Sequence, residues 1–551
     1  MRLLCLCACV LLAGPVSAQS FILEASSGGG GLEEDVARGL ALSPEGDRYI
    51  TGIFEDVATF GEASVTSIGG NDFFLVKYGP AGDVLWARRG GTNANDFAAE
   101  VAVAPDGGVY LVGSFNGSAT FDGGANPDVL LISAGGFDIF LAKYDIDGTI
   151  QWVQQGGGAG QDVGRDLAVD DSGNAYVAGS FEGDGNFGGR MVTSAGESDA
   201  LLVKYAPDGS VAWARRSGGG QDDAGYGVAV TPDGTAHVSG VFRSTAQFGP
   251  LSRQSLGGAD VFVAQYDASG EVAWATRIGS PEDEVTRGGG IDLAANGTVY
   301  VHGGFDGTIT IGSDVLTSLG MADVFVARIN RSGDPAWARR GGGDGDDAPN
   351  ALNVFGNGVL ITGAVEGSGS FSEVPFTTQA QDAYFAVFDI AGNLFDLNIL
   401  GGPGDDVGTA IDSDASRAQF SVAGLFEETA AFGSLELTSA GETDAYLVDG
   451  RFGVVDLEPD AGAPTRHALG AAYPNPFRHS ATLALDVAAA QHVRVELFDV
   501  LGRRVSMVHA GRLPAGQHRV TVQAAGLPTG LYLVRAEGET FQLTRRVTLV
   551  R

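Results

Sequence analysis

Aspartates that end glycine-rich loops are the residues best placed to do chemistry. Three loops read Gly-Gly-x-Gly-x-Asp, at 157–162, 342–347 and 401–406, and end in Asp162, Asp347 and Asp406; Asp96 ends a related loop. Carboxylate oxygens beside backbone carbonyls are the ligands that calcium takes. The same pattern also makes an Asx-type turn, in which the carboxylate accepts backbone N–H bonds and glycine supplies positive φ. The turn is the preferred reading and calcium the alternative, because the three aspartates lie far apart in the chain.

Other chemistry has less support. His237 and His302 are the only histidines in 19–452, and they fall at different positions of successive repeats. Each reads as a core or surface residue rather than a catalytic base. Cys5, Cys7 and Cys9 are the only cysteines. All three lie in the first 18 residues, so no disulfide, zinc thiolate or cysteine nucleophile is expected after export. No G-x-S-x-G, H-E-x-x-H or P-loop pattern occurs. Carboxylates are abundant, yet nothing singles out an acid–base pair, and no catalytic residue is assigned.

These residues are positioned by one unit copied along the chain. Its core heptapeptide is DFFLVKY (72–78), DIFLAKY (138–144), DALLVKY (199–205), DVFVAQY (260–266), DVFVARI (323–329), DAYFAVF (382–388) and DAYLVDG (444–450). A spacing near 60 residues points to a solenoid, propeller or array. A turn glycine follows in the first six copies, for example Gly82 and Gly209, then a tryptophan in five: Trp86, Trp152, Trp213, Trp274 and Trp337. The tryptophans read as packing rather than as sugar platforms. The only lysines, Lys77, Lys143 and Lys204, share one repeat position and read as snorkelling at a rim.

Each copy gives four strands, and the heptapeptide is apolar on both faces. A sheet buried on both faces needs neighbours on both sides, as in sheets stacked radially about an axis. The seventh copy has no tryptophan strand of its own, whereas FILEASSGGG (21–30) looks like an orphan strand of that kind. The expected fold is therefore all-β: a seven-bladed β-propeller of four-stranded blades, closed by an N-terminal strand, and followed by a small C-terminal β-sandwich. A linear solenoid would call for polar caps instead.

The G-x-D-x-F-[LV]-[AV]-K-Y core followed by W-A-R-R resembles the bacterial SBBP propeller repeats. The three Gly-Gly-x-Gly-x-Asp loops are similar to the calcium nonapeptide of RTX proteins. That nonapeptide stacks copies nine residues apart, and these loops are much farther apart. At the other end, Tyr473-Pro474-Asn475-Pro476-Phe477, the turn at Gly502 and the turn at Gly530 fall in the order YPNPF, LFDVLGRRV, LPAGQHRV, LPTGLYLVR. This resembles the type A sorting domain of type IX secretion. The resemblance implies recognition by the type IX machinery and an extracellular or outer-surface destination by way of the periplasm.

Charge and composition agree with two parts. From Arg466 onward there are 11 arginines and 5 acidic residues, whereas 19–465 carries 21 basic and 63 acidic residues. A body this acidic repels nucleic acid and anionic membrane. No segment has the ~20 apolar residues of a transmembrane helix. Residues 1–18 read as a signal peptide, with Arg2, an apolar stretch and a Val16-Ser17-Ala18 cleavage site. The expected layout is thus 1–18 signal peptide, 19–452 propeller, 453–470 linker and 471–551 sorting domain. The expected role is a non-catalytic binding or structural module for an unknown protein or glycan. The alternative is an extracellular polysaccharide hydrolase or lyase, which a carboxylate pair facing the central channel would favour.

Overall fold

The computed structural model describes residues 20–285, 290–433, 435–453 and, with short gaps, 467–550. The signal-peptide reading therefore lies outside the described residues, as does most of the linker. Every regular element among the described residues is a strand. The chain divides into two compact units, Met1–Val454 and Val455–Arg551.

The first unit repeats one antiparallel path. Strand Asp35–Leu42 pairs with Arg48–Phe54, which pairs with Asp72–Tyr78, which pairs with Val84–Gly91. Gly82, at φ 88°, lets the chain reverse between the heptapeptide strand and the tryptophan strand. The heptapeptides Asp72–Tyr78 and Asp138–Tyr144 are buried at every position, as are the second strands Arg48–Phe54 and Val109–Phe115. Apolar side chains on both faces thus meet protein on both faces. Much of the core sits between neighbouring repeats: the rings of Phe73 and Phe140, one repeat apart, stack with centroids 4.7 Å apart.

The four strands of each repeat carry an extension that the sequence reading did not include. A short hairpin lies between the second and third strands, for example Val57–Phe60 with Ala63–Thr66 and Ser118–Phe121 with Val129–Ile132. It bonds to the outer strand of the preceding repeat, pairing Phe121 with Gly90, Phe187 with Gly156 and Phe371 with Gly341. In the third, fourth and seventh repeats the hairpin is continuous with the second and third strands, as in Ala175–Phe187 and Arg190–Tyr205, so the repeat keeps four strands. The hairpin covers the end of an otherwise open outer edge.

Strand Ser20–Gly29 pairs antiparallel with Leu435–Gly453, from Phe21 opposite Phe452 to Gly29 opposite Ala445. First strands also touch from repeat to repeat, and Asp35–Leu42 touches both Phe97–Val103 and Val407–Asp414. Arg48 and Asp449, from the first and last repeats, form a buried ion pair at 2.9 Å.

The second unit holds two sheets. One carries Ala468–Leu469, Ser480–Val487 and Gly516–Gln523; the other carries Arg504–Leu513, Gln491–Asp499, Gly530–Gly538 and Gln542–Leu549. Leu483 and Leu485 from one sheet share a core with Val495, Leu497, Val534 and Val547 from the other. Two antiparallel sheets with one shared core make the small sandwich that the turn spacing implied.

Candidate functional site

The acidic loops are built as turns. Gly158 N donates to Asp162 Oδ2 at 2.7 Å, Gly343 N to Asp347 Oδ2 at 2.6 Å and Gly402 N to Asp406 Oδ2 at 2.7 Å. Asp96 accepts from Thr92 N and Asn116 N. The structure does not bring Asp162, Asp347 and Asp406 together. Each instead faces the aspartate that starts a heptapeptide, across a glycine. A β-carbon on Gly401 would lie 2.2 Å from Asp382 Oδ1 and 2.5 Å from Asp406 Oδ2; Gly157 stands likewise between Asp138 and Asp162. No larger residue fits there.

Burial pushes the Asp162 and Asp347 carboxyls up to about 6 and that of Asp406 up to about 7; the facing aspartates add to the rise and backbone N–H bonds oppose it.

Two other features read from the repeats have structural partners. Trp86 Nε1 donates to Ile146 O, Trp213 Nε1 to Ala268 O and Trp337 Nε1 to Ile390 O, each in a turn of the next repeat. The tryptophans clamp neighbouring repeats. The lysines do not snorkel at a rim. Lys77 and Lys143 are buried, and they pair with Asp47 and Asp106 at 2.9 and 2.8 Å. A tyrosine ring lies beneath each, because the second strand places Tyr49 and Tyr110 opposite them. His237 and His302 are buried in second strands, and burial pulls them down to about 4 and about 3.

A group of carboxylates escaped the sequence reading. The first strands border a cavity of ≈ 290 Å³ whose lining includes Leu40, Glu100, Asp166, Val228, Leu352 and Asp412. Glu100 Oε1 accepts from Leu40 N at 3.2 Å, Asp166 Oδ2 from Val228 N at 2.6 Å and Asp412 Oδ2 from Leu42 N at 2.8 Å. Asp292 makes the same kind of bond with Val354 N, at 2.6 Å. Each bond crosses to the first strand of a neighbouring repeat.

Burial raises Asp166 and Asp292 to about 7 and Asp412 to about 6, and it raises Glu100 as well. For Glu100 and Asp292 the charges of other carboxylates in the group add to the rise. Carboxyls poised near neutrality can trade protons with a ligand. Held as they are, they also tie first strands together. Only two repeats carry an acid at each position, Glu100 and Asp166 at one and Asp292 and Asp412 at the other, so no repeat signature marks them.

The C-terminal motif has its own local frame. Phe477 is buried, donates its N–H to Thr548 O at 2.9 Å and accepts from Val550 N at 2.9 Å. Gly530 opens a strand opposite Leu549. Tyr473, Pro474, Asn475, Pro476 and Gly502 lie outside the described residues.

Residues 471–550 match the secretion system C-terminal sorting domain. Residues 151–185 match the SBBP β-propeller repeat. The sorting domain marks the chain for secretion to the cell surface or the extracellular space, through the type IX machinery. Among the described residues no helix is long and apolar enough to cross a membrane.

An uncharacterised WD repeat-containing protein of Acanthamoeba polyphaga mimivirus is 24% identical over 361 residues, which is 53% of this chain and 26% of that protein. The regulatory protein FlaEY of Caulobacter vibrioides is 33% identical over 147 residues, 26% of this chain and 15% of that protein. The chain thus spans about a quarter or less of the curated relatives that it matches. Among solved structures, a glycoside hydrolase family 43 arabinoxylan arabinofuranohydrolase from Bacillus subtilis aligns with 81% of this chain and 93% of its own, at 12% identity and a TM-score of 0.24.

Proposed function

We propose that the propeller repeats form a closed ring of seven blades and act, outside the cell, as a non-catalytic binding or structural module. Ring closure is supported by the pairing of Ser20–Gly29 with Leu435–Gly453 and by the bond from Leu42 to Asp412, which joins the first and last repeats. The observation that carries the non-catalytic reading is the use of the first-strand carboxylates. Glu100, Asp166, Asp292 and Asp412 each accept backbone N–H bonds from two strands or positions, as structural struts do. Their raised pKa values follow from burial and crowding and need no reaction to explain them. The route runs through the periplasm by the signal peptide and then across the outer membrane by the sorting domain. A glycan array probed with the full chain tests the reading. Saturable binding without product release supports it, and turnover of a bound polysaccharide overturns it.

The second reading is a polysaccharide hydrolase or lyase. One observation favours it: Glu100, Asp166 and Asp412 line one cavity, and two of them sit near 6 to 7. On that reading Asp166→Asn abolishes release of reducing ends and leaves glycan binding in place.

A further inference from the structure

A β-bulge recurs at one position of the first strands. The register shifts between Ala37 and Gly39, Ala98 and Glu100, Gly164 and Asp166, Gly225 and Gly227, Pro349 and Ala351, and Gly408 and Ala410. The extra residue in each case is Arg38, Ala99, Arg165, Tyr226, Asn350 or Thr409. In the sequence Arg287 holds the same position, outside the described residues. A bulge turns its extra residue out of the ladder and re-aims the side chain.

The re-aimed side chains run along the first strands from repeat to repeat. Thr409 Oγ1 donates to Ala37 O at 2.7 Å, and Asn350 Nδ2 to Gly408 O at 3.0 Å. The Arg165 guanidinium lies 4.7 Å from the centre of the Tyr226 ring, and that of Arg38 lies 5.5 Å from the centre of the Phe97 ring.

Thr409 and Asn350 are thereby satisfied; Arg38 is exposed to solvent, and Arg165, half-buried, keeps unmet donors. Arg165 makes one long hydrogen bond, 3.4 Å to Ser180 Oγ, and its Nε is buried without a partner. Arg38 makes no hydrogen bond or ion pair among the described residues, and Glu34 is the one carboxylate whose charge acts on it. Several arginines elsewhere in the repeats are held by carboxylates, Arg48 by Asp449, Arg216 by Asp199 and Arg340 by Asp323. Arg328 shares the orphan Nε of Arg165 but bonds a carbonyl in the turn of the next repeat, Ile390 O. In a chain with 68 acidic and 33 basic residues, a guanidinium that no carboxylate meets is not so for want of candidates. Its donors are left for something else.

We propose that Arg165, braced by Tyr226, binds the carboxylate group of a small monoanionic ligand such as a uronic acid, with Arg38, at the same bulge position two repeats away, as a second cationic group. The planar fork of arginine matches a carboxylate through two parallel N–H bonds. A body with 63 acidic and 21 basic residues over 19–465 repels polyanions at long range, whereas a ligand with one charge pays little of that repulsion. This selects a monoanion over nucleic acid or a heavily sulfated chain. Ala99, the bulge between the two arginines, projects only a methyl group. This site rests on the binding-module reading and specifies its ligand.

The test is calorimetric titration of the full chain with glucuronate and with acetate, beside neutral glucose, inorganic sulfate and inorganic phosphate, at fixed ionic strength. Glucuronate and acetate bind and compete with each other, and glucose does not. Arg165→Gln weakens glucuronate about tenfold or more, since it removes a charge-assisted hydrogen bond. Arg165→Lys, which keeps the charge and loses the fork, falls between wild type and Arg165→Gln. Arg38→Gln gives a smaller loss that vanishes at high salt.

Absence of carboxylate binding, or an unchanged affinity in both Arg165 variants with native melting curves, overturns the site. Tighter binding of sulfate or phosphate overturns the choice of carboxylate. Glycan-array binding that persists in Arg165→Gln removes this site and leaves the binding-module reading in place.

Discussion

The facing aspartates make a pH dependence that can be worked out residue by residue. Asp35, Asp72, Asp223, Glu284 and Asp406 are raised to about 7, and Asp162 and Asp347 to about 6, in each case chiefly by burial. Their folded values lie above their unfolded ones, so the folded state binds protons more tightly. The stability they contribute is complete below about pH 4 and is lost as pH rises through 6 to 7. The melting temperature of the full chain is therefore expected to fall from pH 5 to pH 8, followed by circular dichroism. Asp406→Asn keeps an oxygen for Gly402 N and removes the charge. It stabilises the chain by about 1 kcal/mol at pH 8 and has little effect at pH 5; a loss of stability at pH 8 would refute the like-charge pair. Calcium added after chelation shifts the melting temperature little at either pH, because Asp162, Asp347 and Asp406 already accept backbone N–H bonds. A rise of many degrees would signal tight sites. The turn role of these aspartates was readable from Gly-Gly-x-Gly-x-Asp. Their partners Asp138, Asp323 and Asp382 were not read as such, because the sequence places them in a different strand and only folding sets them across a glycine. Arg38 and Arg165 were equally silent, since a bulge leaves no mark in an apolar alternation.

At the scale of the strand, the tryptophans and the N-terminal segment carry the most stability that can be tested singly. Trp213 is 8% exposed and bonds Ala268 O at 3.1 Å. Trp213→Phe loses that bond and part of the ring, for about 1 kcal/mol or more. Trp213→Ala costs about 3–5 kcal/mol, as large-to-small changes in a core do. Urea unfolding of both variants measures the difference, and equal costs would mean that the indole N–H contributes nothing. Repeats six and seven have no tryptophan at this position, so Ser20–Gly29 and the Arg48–Asp449 pair have more to hold. Deleting 19–27 removes most of the register from Phe21 opposite Phe452 to Gly29 opposite Ala445. The melting temperature of the whole first unit is expected to drop, and an unchanged curve would show the strand to be ornamental. The heptapeptide strands were legible because each is apolar on both faces and repeats intact. The short hairpins were not: four residues such as Val57–Phe60 are too few for alternation to register. Their recurring mark is a single aromatic, as at Phe60, Phe121 and Phe187, that packs on the preceding repeat.

For the whole molecule, the division at Val454 and Val455 sets up the test of export. The sandwich has its own core, with Leu483, Leu485, Val495, Leu497, Val534 and Val547 all fully buried within it. None of its motifs recurs in the repeats, and its 11 arginines against 5 acidic residues, counted from Arg466, oppose the acidity of the body. A unit with its own core and its own sign of charge can act as an address without serving the fold it delivers. Removing 456–551 should leave the repeats folded, with an unchanged melting temperature, because their hydrophobic clusters draw on residues before 454. The same truncation should strand the protein in the periplasm of its native host. Fusing 456–551 behind a signal peptide and an unrelated passenger should carry that passenger to the surface or the medium. Within the address, Phe477 ties the YPNPF motif to the final strand through Thr548 and Val550. Phe477→Ala empties a core position at a cost of about 3–5 kcal/mol. It should therefore lower export in proportion to the unfolding of the sandwich and leave the repeats intact. Fractionation of the native host, with a lysis marker, reads both variants. A truncated chain that reaches the medium in normal amounts without lysis would mean that the sandwich is not the sorting signal, and that export depends on the N-terminal signal alone.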